Sequence, residues 1–279
     1  MKPLKIVILW HFHQPYYVKD DLLFLPWVRL HGVKDYWDLP EVFHEFPNIK
    51  QNINLVPSLS VQIDDYVSGR RKDKIQLLTE IKPEELNEQN KKDILKLFFL
   101  CNYENMIKPY PRFNELYQLA DNTDKAMLNF EPHDWRDIQT WYNLTWIGQN
   151  SRRRADVRRL FKKGKKFTEE EKNLVLDIHI DILSKVKSQL KTLVNLGQLE
   201  LTATPFYHPI LPLVCDSRSA LESMPNCIMP DELYNYPEDA EHQIKSALKY
   251  YKENYDISIN GMWPSEGSLS DEVLQIMSE

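Results

Sequence analysis

Short apolar, β-branched runs punctuate a chain that otherwise carries helical periodicity. Four of them read as strands, at residues 5–10, 51–56, 199–204 and 256–262, and each runs into Pro, Gly or polar residues. Helical segments separate the runs, which predicts a parallel α/β arrangement rather than a sandwich. From 59 to about 196 the pattern is mainly helical. Residues 86–100 end in an apolar turn. Thr168 stands before Glu169-Glu170-Glu171, so Thr168 is predicted as an N-cap and Glu171 as its capping-box partner. Leu174, Ile178, Leu183 and Val186 carry that helix to about Leu196, and Gly197 is suited to end it in the left-handed region. Residues 205–237 are rich in proline and read as a long ordered loop. There is no internal repeat and no low-complexity linker.

The totals narrow the picture. A chain of 279 residues with 42% hydrophobic content can bury a substantial core, as one large α/β domain or two small ones. The net charge of −6 argues against nucleic acid as a partner. Cys101, Cys215 and Cys227 have no metal spacing, and an odd number is no disulfide framework, so a reducing, cytoplasmic setting is expected. The apolar run at 6–10 is too short for a signal sequence or a membrane span. The basic residues from Arg152 to Lys166 could meet an anion, but with few aromatics among them they read as a solvated helical face.

Three clusters could do chemistry. Trp10-His11-Phe12-His13-Gln14-Pro15 follows the first run. In extended backbone His11 and His13 project to one side, where they could hydrogen-bond sugar hydroxyls or bind a divalent metal. Taken alone, the pair does not choose between the two. Residues 197–212 hold Glu200, within a strand whose neighbours are apolar, and His208, after Pro205. A carboxylate buried there would need a partner or a task; the plain alternatives are a structural ion pair for Glu200 and a loop-anchoring bond for His208. Gly261-Met262-Trp263-Pro264-Ser265-Glu266-Gly267-Ser268 places Glu266 in a tight loop at a strand's C-terminal tip, where barrel enzymes carry their reactive groups. Trp263 offers a flat ring for stacking. His11, His13, Glu200, His208 and Glu266 are therefore expected to converge at the C-terminal end of a parallel sheet.

Taken together, His13-Gln14-Pro15, residues 197–212 and residues 261–270 resemble, in order, three signatures of glycoside hydrolase family 57. Asn54-Leu55-Val56-Pro57-Ser58-Leu59 and Lys163-Gly164-Lys165-Lys166-Phe167-Thr168 resemble its amylase and amylopullulanase branch. The resemblance implies a (β/α)₇ barrel spanning residues 1–279, with a helical insertion at about 59–196 that caps one end. It implies retaining chemistry on an α-glucan or maltooligosaccharide, by hydrolysis or by 4-α-glucanotransfer, with Glu266 as nucleophile. Substrate contacts would come from His11, His13, Gln14, Glu200, His208 and Trp263. No cofactor is implied, no tightly bound metal is expected, and neither nucleic acid nor membrane is an expected partner. The family's fourth signature, which carries the acid/base Asp, has no counterpart after Glu266. Asp271, Glu272 and Glu279 belong to a following helix, for which Asp271 is the expected cap and Ser270 the second candidate. On this reading the later barrel strands and the acid lie beyond residue 279, and the chain by itself is expected to be marginally stable, prone to associate and without glycosidase activity. Two other readings stay open at this level: a metal-dependent hydrolase using His11 and His13, and a non-catalytic sugar-binding fragment.

Overall fold

The structure, a computed structural model, describes residues 4–278. The described residues form a helix-rich α/β arrangement with six short strands: β1 (Leu9–Phe12), β2 (Val18–Lys19), β3 (Leu22–Leu23), β4 (Gln51–Leu55), β5 (Lys72–Asp73) and β6 (Leu199–Thr202). They form two three-stranded sheets, ordered β1-β4-β6 and β2-β3-β5. The described residues divide into two compact units, one of residues 4–16, 46–62 and 187–278, the other of residues 17–45 and 63–186.

In the first unit β4 pairs in parallel with both β1 and β6, so that His11, Asn54 and Thr202 lie level across the sheet. A single parallel bridge, Ala203 to Met262, adds a fourth line of chain. One face is apolar: Phe12, Ile53, Leu55, Leu199 and Leu201 are buried. The helix Pro237–Tyr255 contributes Ala240, Ile244, Ala247, Tyr251 and Tyr255 to the same unit's core. Its Tyr251 hydroxyl donates to the Leu55 carbonyl, and Tyr255 hydrogen-bonds Ser60 across 2.9 Å.

Two of the four strand expectations hold nearly residue for residue, at β4 and β6. The other two are corrected. The first strand begins at Leu9, not residue 5: the register pairs Leu9 with Asn52 and so leaves residues 5–7 before the start of β4, with no ladder to join. At 256–262 only Met262 is bridged. The neighbouring hydrogen bonds are Ala203 N–H to Gly261 O (3.0 Å) and Trp263 N–H to Ala203 O (2.8 Å), and they engage only the last residues of the run. Three strands and a bridge form an open sheet, so the described residues contain no closed barrel. The expected loop at 205–237 carries two short helices, Leu211–Cys215 and Ala220–Ser223. Pro212 sits at the start of the first, where its missing N–H costs nothing.

The helix Glu169–Asn195 starts and stops as its sequence predicts. Thr168 Oγ1 accepts from Glu171 N–H (3.2 Å) while the Glu171 carboxylate accepts from Thr168 N–H (2.9 Å). Gly197 has φ +65°, and the bonds Gly197 N–H to Val194 O and Gln198 N–H to Leu193 O close a Schellman end. The helix at Asp271–Ser278 is capped by Ser270, whose hydroxyl accepts from Val273 N–H (3.3 Å), and Asp271 is its first residue. Glu279 lies outside the described residues.

The second unit is mostly helical, with Trp135, Trp141, Tyr142, Phe98 and Phe113 in its core. Its basic stretch is largely paired. Arg154 meets Asp156 and Asp181, Lys163 meets Glu171, and Arg152 donates to Tyr110 and to two backbone carbonyls. That pairing is what a solvated helical face requires. No described helix is long and apolar enough to cross a membrane.

Candidate active site

The polar face of the parallel sheet is where the candidate chemistry collects. Parallel sheets ordinarily have apolar residues on both faces. Here alternation in β4, with Asn52 and Asn54 alternating with Ile53 and Leu55, sends amides to one side. His11 on β1 and Thr202 on β6 are level with Asn54 on that side. Asn54 is fully buried. Its Nδ2 donates to the Ala203 carbonyl (3.0 Å) and to Thr202 Oγ1 (3.3 Å), which turns Oδ1 toward His11 Nδ1 at 2.8 Å. The network thus assigns a proton of His11 to Nδ1 and leaves Nε2 as the nitrogen open to a ligand.

Just past the tip of β1, His13 stacks on His208, with ring centroids 4.2 Å apart and an interplanar angle of 27°. His11 lies 5.3 Å from His13 and 5.0 Å from His208. The loop after β1 is held by Gln62, whose amide donates to the Pro15 and Ser58 carbonyls (3.0 Å each). The loop after β6 is held by Phe206 N–H and Tyr207 N–H, which donate to the backbone and side-chain oxygens of Gln243. His208 adopts φ +61°, an uncommon left-handed conformation for a side chain of this size. Its side chain is 4% exposed, and Nε2 is buried without a hydrogen-bond partner.

Both stacked imidazoles are neutral at neutral pH. Burial, then the charges that His208 and His11 would carry, lower His13 to about 4. Burial, then His11, lowers His208, and Glu266 opposes that shift. Two imidazoles stacked this closely would repel each other as cations, so His13 and His208 present lone pairs instead.

Glu266 is the neighbouring carboxylate. Its Oε1 lies 3.9 Å from His208 Nδ1, and its side chain is 67% exposed. Glu266 (φ +55°) and Gly267 (φ +69°) are consecutive left-handed residues, and Gly267 N–H donates to the Pro264 carbonyl (2.9 Å). A non-glycine residue held at positive φ typically costs on the order of 1 kcal/mol, and such strain often marks a functional position. Trp263, three residues earlier, is 47% exposed.

His11, His13, His208 and Glu266 therefore share one end of the parallel sheet. Glu200 sits apart from them in the chain direction. It is level with Asn52 and Leu9, two residues before the line of His11, and Asn52 Nδ2 lies 3.4 Å from its Oε2. It is exposed, not buried, because alternation in β6 sends Leu199 and Leu201 to the apolar face and Glu200 to the polar one. Gln14 is half-buried beside Pro15, and Trp263 stands on the Glu266 loop. Asp271 and Glu272 line a different cavity of about 490 Å³ with Asp216, Arg218 and Glu222. The sequence reading missed Asn52, Asn54 and Thr202. The detectable signal was polar side chains alternating with apolar ones inside otherwise apolar strands.

Residues 7–279 match the description of glycosyl hydrolase family 57. No curated protein matches the chain. Among solved structures it is similar to an α-amylase from Thermotoga maritima, at 16% identity over 98% of this chain and 38% of that one, with a TM-score of 0.47. It is also similar to a branching enzyme of the same family from Thermococcus kodakaraensis, at 16% identity over 92% of this chain and 32% of that one, with a TM-score of 0.42. The chain thus spans well under half the length of these proteins. It belongs to glycosyl hydrolase family 57.

Proposed function

We propose that this chain carries the nucleophile side of an α-glucan-active retaining glycosidase or glucanotransferase, with Glu266 as the nucleophile. The observation that supports this best is the placement of Glu266 in a left-handed loop, 3.9 Å from His208 and at the end of the sheet that also presents His11 and His13. In this reading Glu266 Oε attacks the anomeric carbon. The leaving oxygen departs with the bonding electron pair, and water or a second sugar later releases the glycosyl ester. The lone pairs of the stacked His13 and His208 accept from sugar hydroxyls, His11 supplies a further polar contact, and Trp263 stacks on a ring face. Gln14 supplies a further polar contact. Glu200, farther back along the polar face, would meet substrate only at a distance from the reacting carbon.

The open polar face favours reading β1-β4-β6 as an arc of a (β/α)₇ barrel, whose lumen side it would be. The two relatives are named as an α-amylase and a branching enzyme, and the shared family extends the substrate class, α-glucan, to this chain as a proposal.

The test uses a glucosyl donor whose departure needs no protonation. Incubation with 5-fluoro-α-glucosyl fluoride should place a sugar adduct on the peptide containing Glu266, read by mass spectrometry, and fluoride should leave as the anion. The Glu266→Gln protein should take up no label. Labelling of another carboxylate, or equal labelling of the variant, would remove Glu266 from the nucleophile's role.

A further inference from the structure

We propose that His11, His13 and His208 form a three-imidazole site for a divalent first-row transition ion of the zinc class. One potential ligand nitrogen from each of the three lies within 4.8 Å of the others. Tetrahedral zinc with Zn–N bonds of about 2.0–2.1 Å needs nitrogens roughly 3.3 Å apart. The cluster must therefore contract by at most about 1.5 Å, a change that rotation of the half-buried His13 ring can supply while His11 stays held by Asn54. The centroid separations of 5.0 and 5.3 Å involving His11 suit rings radiating from one ion, and it is the stacked pair at 4.2 Å that must open.

Three features make this more than proximity. The proton of His11 is held on Nδ1 by Asn54, itself pinned by the Ala203 carbonyl, so Nε2 is an oriented ligand with a buried second partner. The buried Nε2 of His208 has no hydrogen bond, an uncommon condition that a ligand would relieve. Imidazole nitrogen suits zinc, copper and nickel, and leaves calcium and magnesium to carboxylate sites. The open coordination position would be filled by water.

The sequence alone leads to the expectation of no tightly bound metal at His11 and His13; the proposal, which adds His208 from the loop after β6, runs against that expectation. A loaded site would withdraw the lone pairs that the proposed function offers to sugar hydroxyls, so metal and glucan would exclude one another. Metal binding itself does not rest on that function.

The probe is Co²⁺, titrated into the full chain freed of metal by chelator and carrying no histidine tag. The expected result is one equivalent of cobalt with the intensified visible bands of a four- or five-coordinate ion. His11→Ala should abolish those bands. His11 is exposed at a strand end, so the variant should fold, which circular dichroism checks. Asn54→Leu, which keeps the size but removes the oxygen that accepts from His11 Nδ1, should weaken cobalt binding by about 10–100-fold. His31, His44, His133 and His242 remain in both variants. Bands no stronger than those of the aqueous ion, or bands unchanged in His11→Ala, would overturn the site. The readout is the metal's spectrum, so its failure leaves the Glu266 labelling result standing, and the reverse holds as well.

Discussion

Each unit of this protein holds a histidine within a polar cluster, and the two clusters are built on opposite terms. In the second unit Arg29, Asp73, Tyr66, Asn143, Thr79 and His179 are all buried, and their polar groups answer one another. Arg29 Nε donates to Asp73 Oδ2 (2.7 Å), and one of its terminal nitrogens donates to Asn143 Oδ1 and His179 Nδ1 (2.8 Å each). Tyr66 donates to Asp73 (2.9 Å), Asn143 Nδ2 to Thr79 Oγ1 (3.0 Å), and His179 Nε2 to the Asn143 carbonyl (3.0 Å). Accepting from Arg29 at one nitrogen and donating at the other fixes His179 as a neutral single tautomer. In the first unit the imidazoles are gathered just as closely, yet His208 Nε2 has no partner and His11 Nε2 is held ready by a proton on the opposite nitrogen. Burial alone does not separate a structural histidine from a functional one. The difference lies in whether the protein itself completes the hydrogen-bonding of the group.

That contrast can be broken in several places. The largest expected effect is at the open cluster. Glu266→Gln should slow formation of the glycosyl adduct from the fluoride donor by on the order of 10⁴ or more, while its urea unfolding midpoint stays near that of the parent. A large loss of stability instead would place Glu266 among the structural groups.

Next is the closed network. Arg29→Met leaves Asp73 buried without its counter-charge and should destabilise by about 3–5 kcal/mol in urea unfolding. The double variant Arg29→Met/Asp73→Leu should recover part of that loss, since it removes both charges. If Arg29→Met unfolds no more easily than the parent, the network is not the structural element described here.

A matched pair of histidine changes sharpens the comparison further. His179→Leu strands an Arg29 donor and the Asn143 carbonyl and should cost about 1–3 kcal/mol. His208→Asn, in which asparagine tolerates the left-handed backbone at that position, should cost less than about 1 kcal/mol and should lose ligand binding. Equal stability losses in the two would erase the distinction.

The smallest effect is in pH. Burial, then the charge of Arg29, holds His179 well below its ordinary value of 6.5. Above that value neither state binds the proton, so this group contributes no slope. Below it the unfolded chain takes up a proton that the folded chain refuses. Stability should therefore fall as pH drops, by up to about 1.4 kcal/mol per pH unit for this one group. His13 and His208 are shifted in the same direction. His179→Gln should flatten the slope below pH ~6.5 without abolishing it, and an unchanged slope would show that His179 is not its main source.

Much of this was legible in the sequence where the cause is local. The capping box at Thr168 and Glu171, the glycine that ends the same helix, the strands at 51–55 and 199–202, and the Trp263–Gly267 loop all depend on residues close in the chain. Periodicity and turn chemistry report such interactions directly. The placement of His11 and His13 on one side of an extended tip followed from alternation alone. Glu200 was misjudged because apolar neighbours in a strand say that one face is buried, and alternation puts the residue between them on the other.

What only the tertiary structure decided depends on partners far along the chain. The true start of β1 was set by the register with β4, since a strand exists only where a neighbour offers its ladder. The missing strand at 257–261 has the same origin. His208 reached the other imidazoles through a loop tied to Gln243, and the tautomer of His11 was set by Asn54, forty-three residues away. Arg29, an ordinary basic residue in the sequence, became the centre of a buried network because helices distant in the chain brought Asn143 and His179 to it. The sequence by itself determined which residue types stand at the tips of strands and at the ends of helices. Which lone pairs are satisfied and which are left open to a ligand was settled only by packing, because a hydrogen bond needs a partner within about 3 Å and the chain alone does not say who will be there.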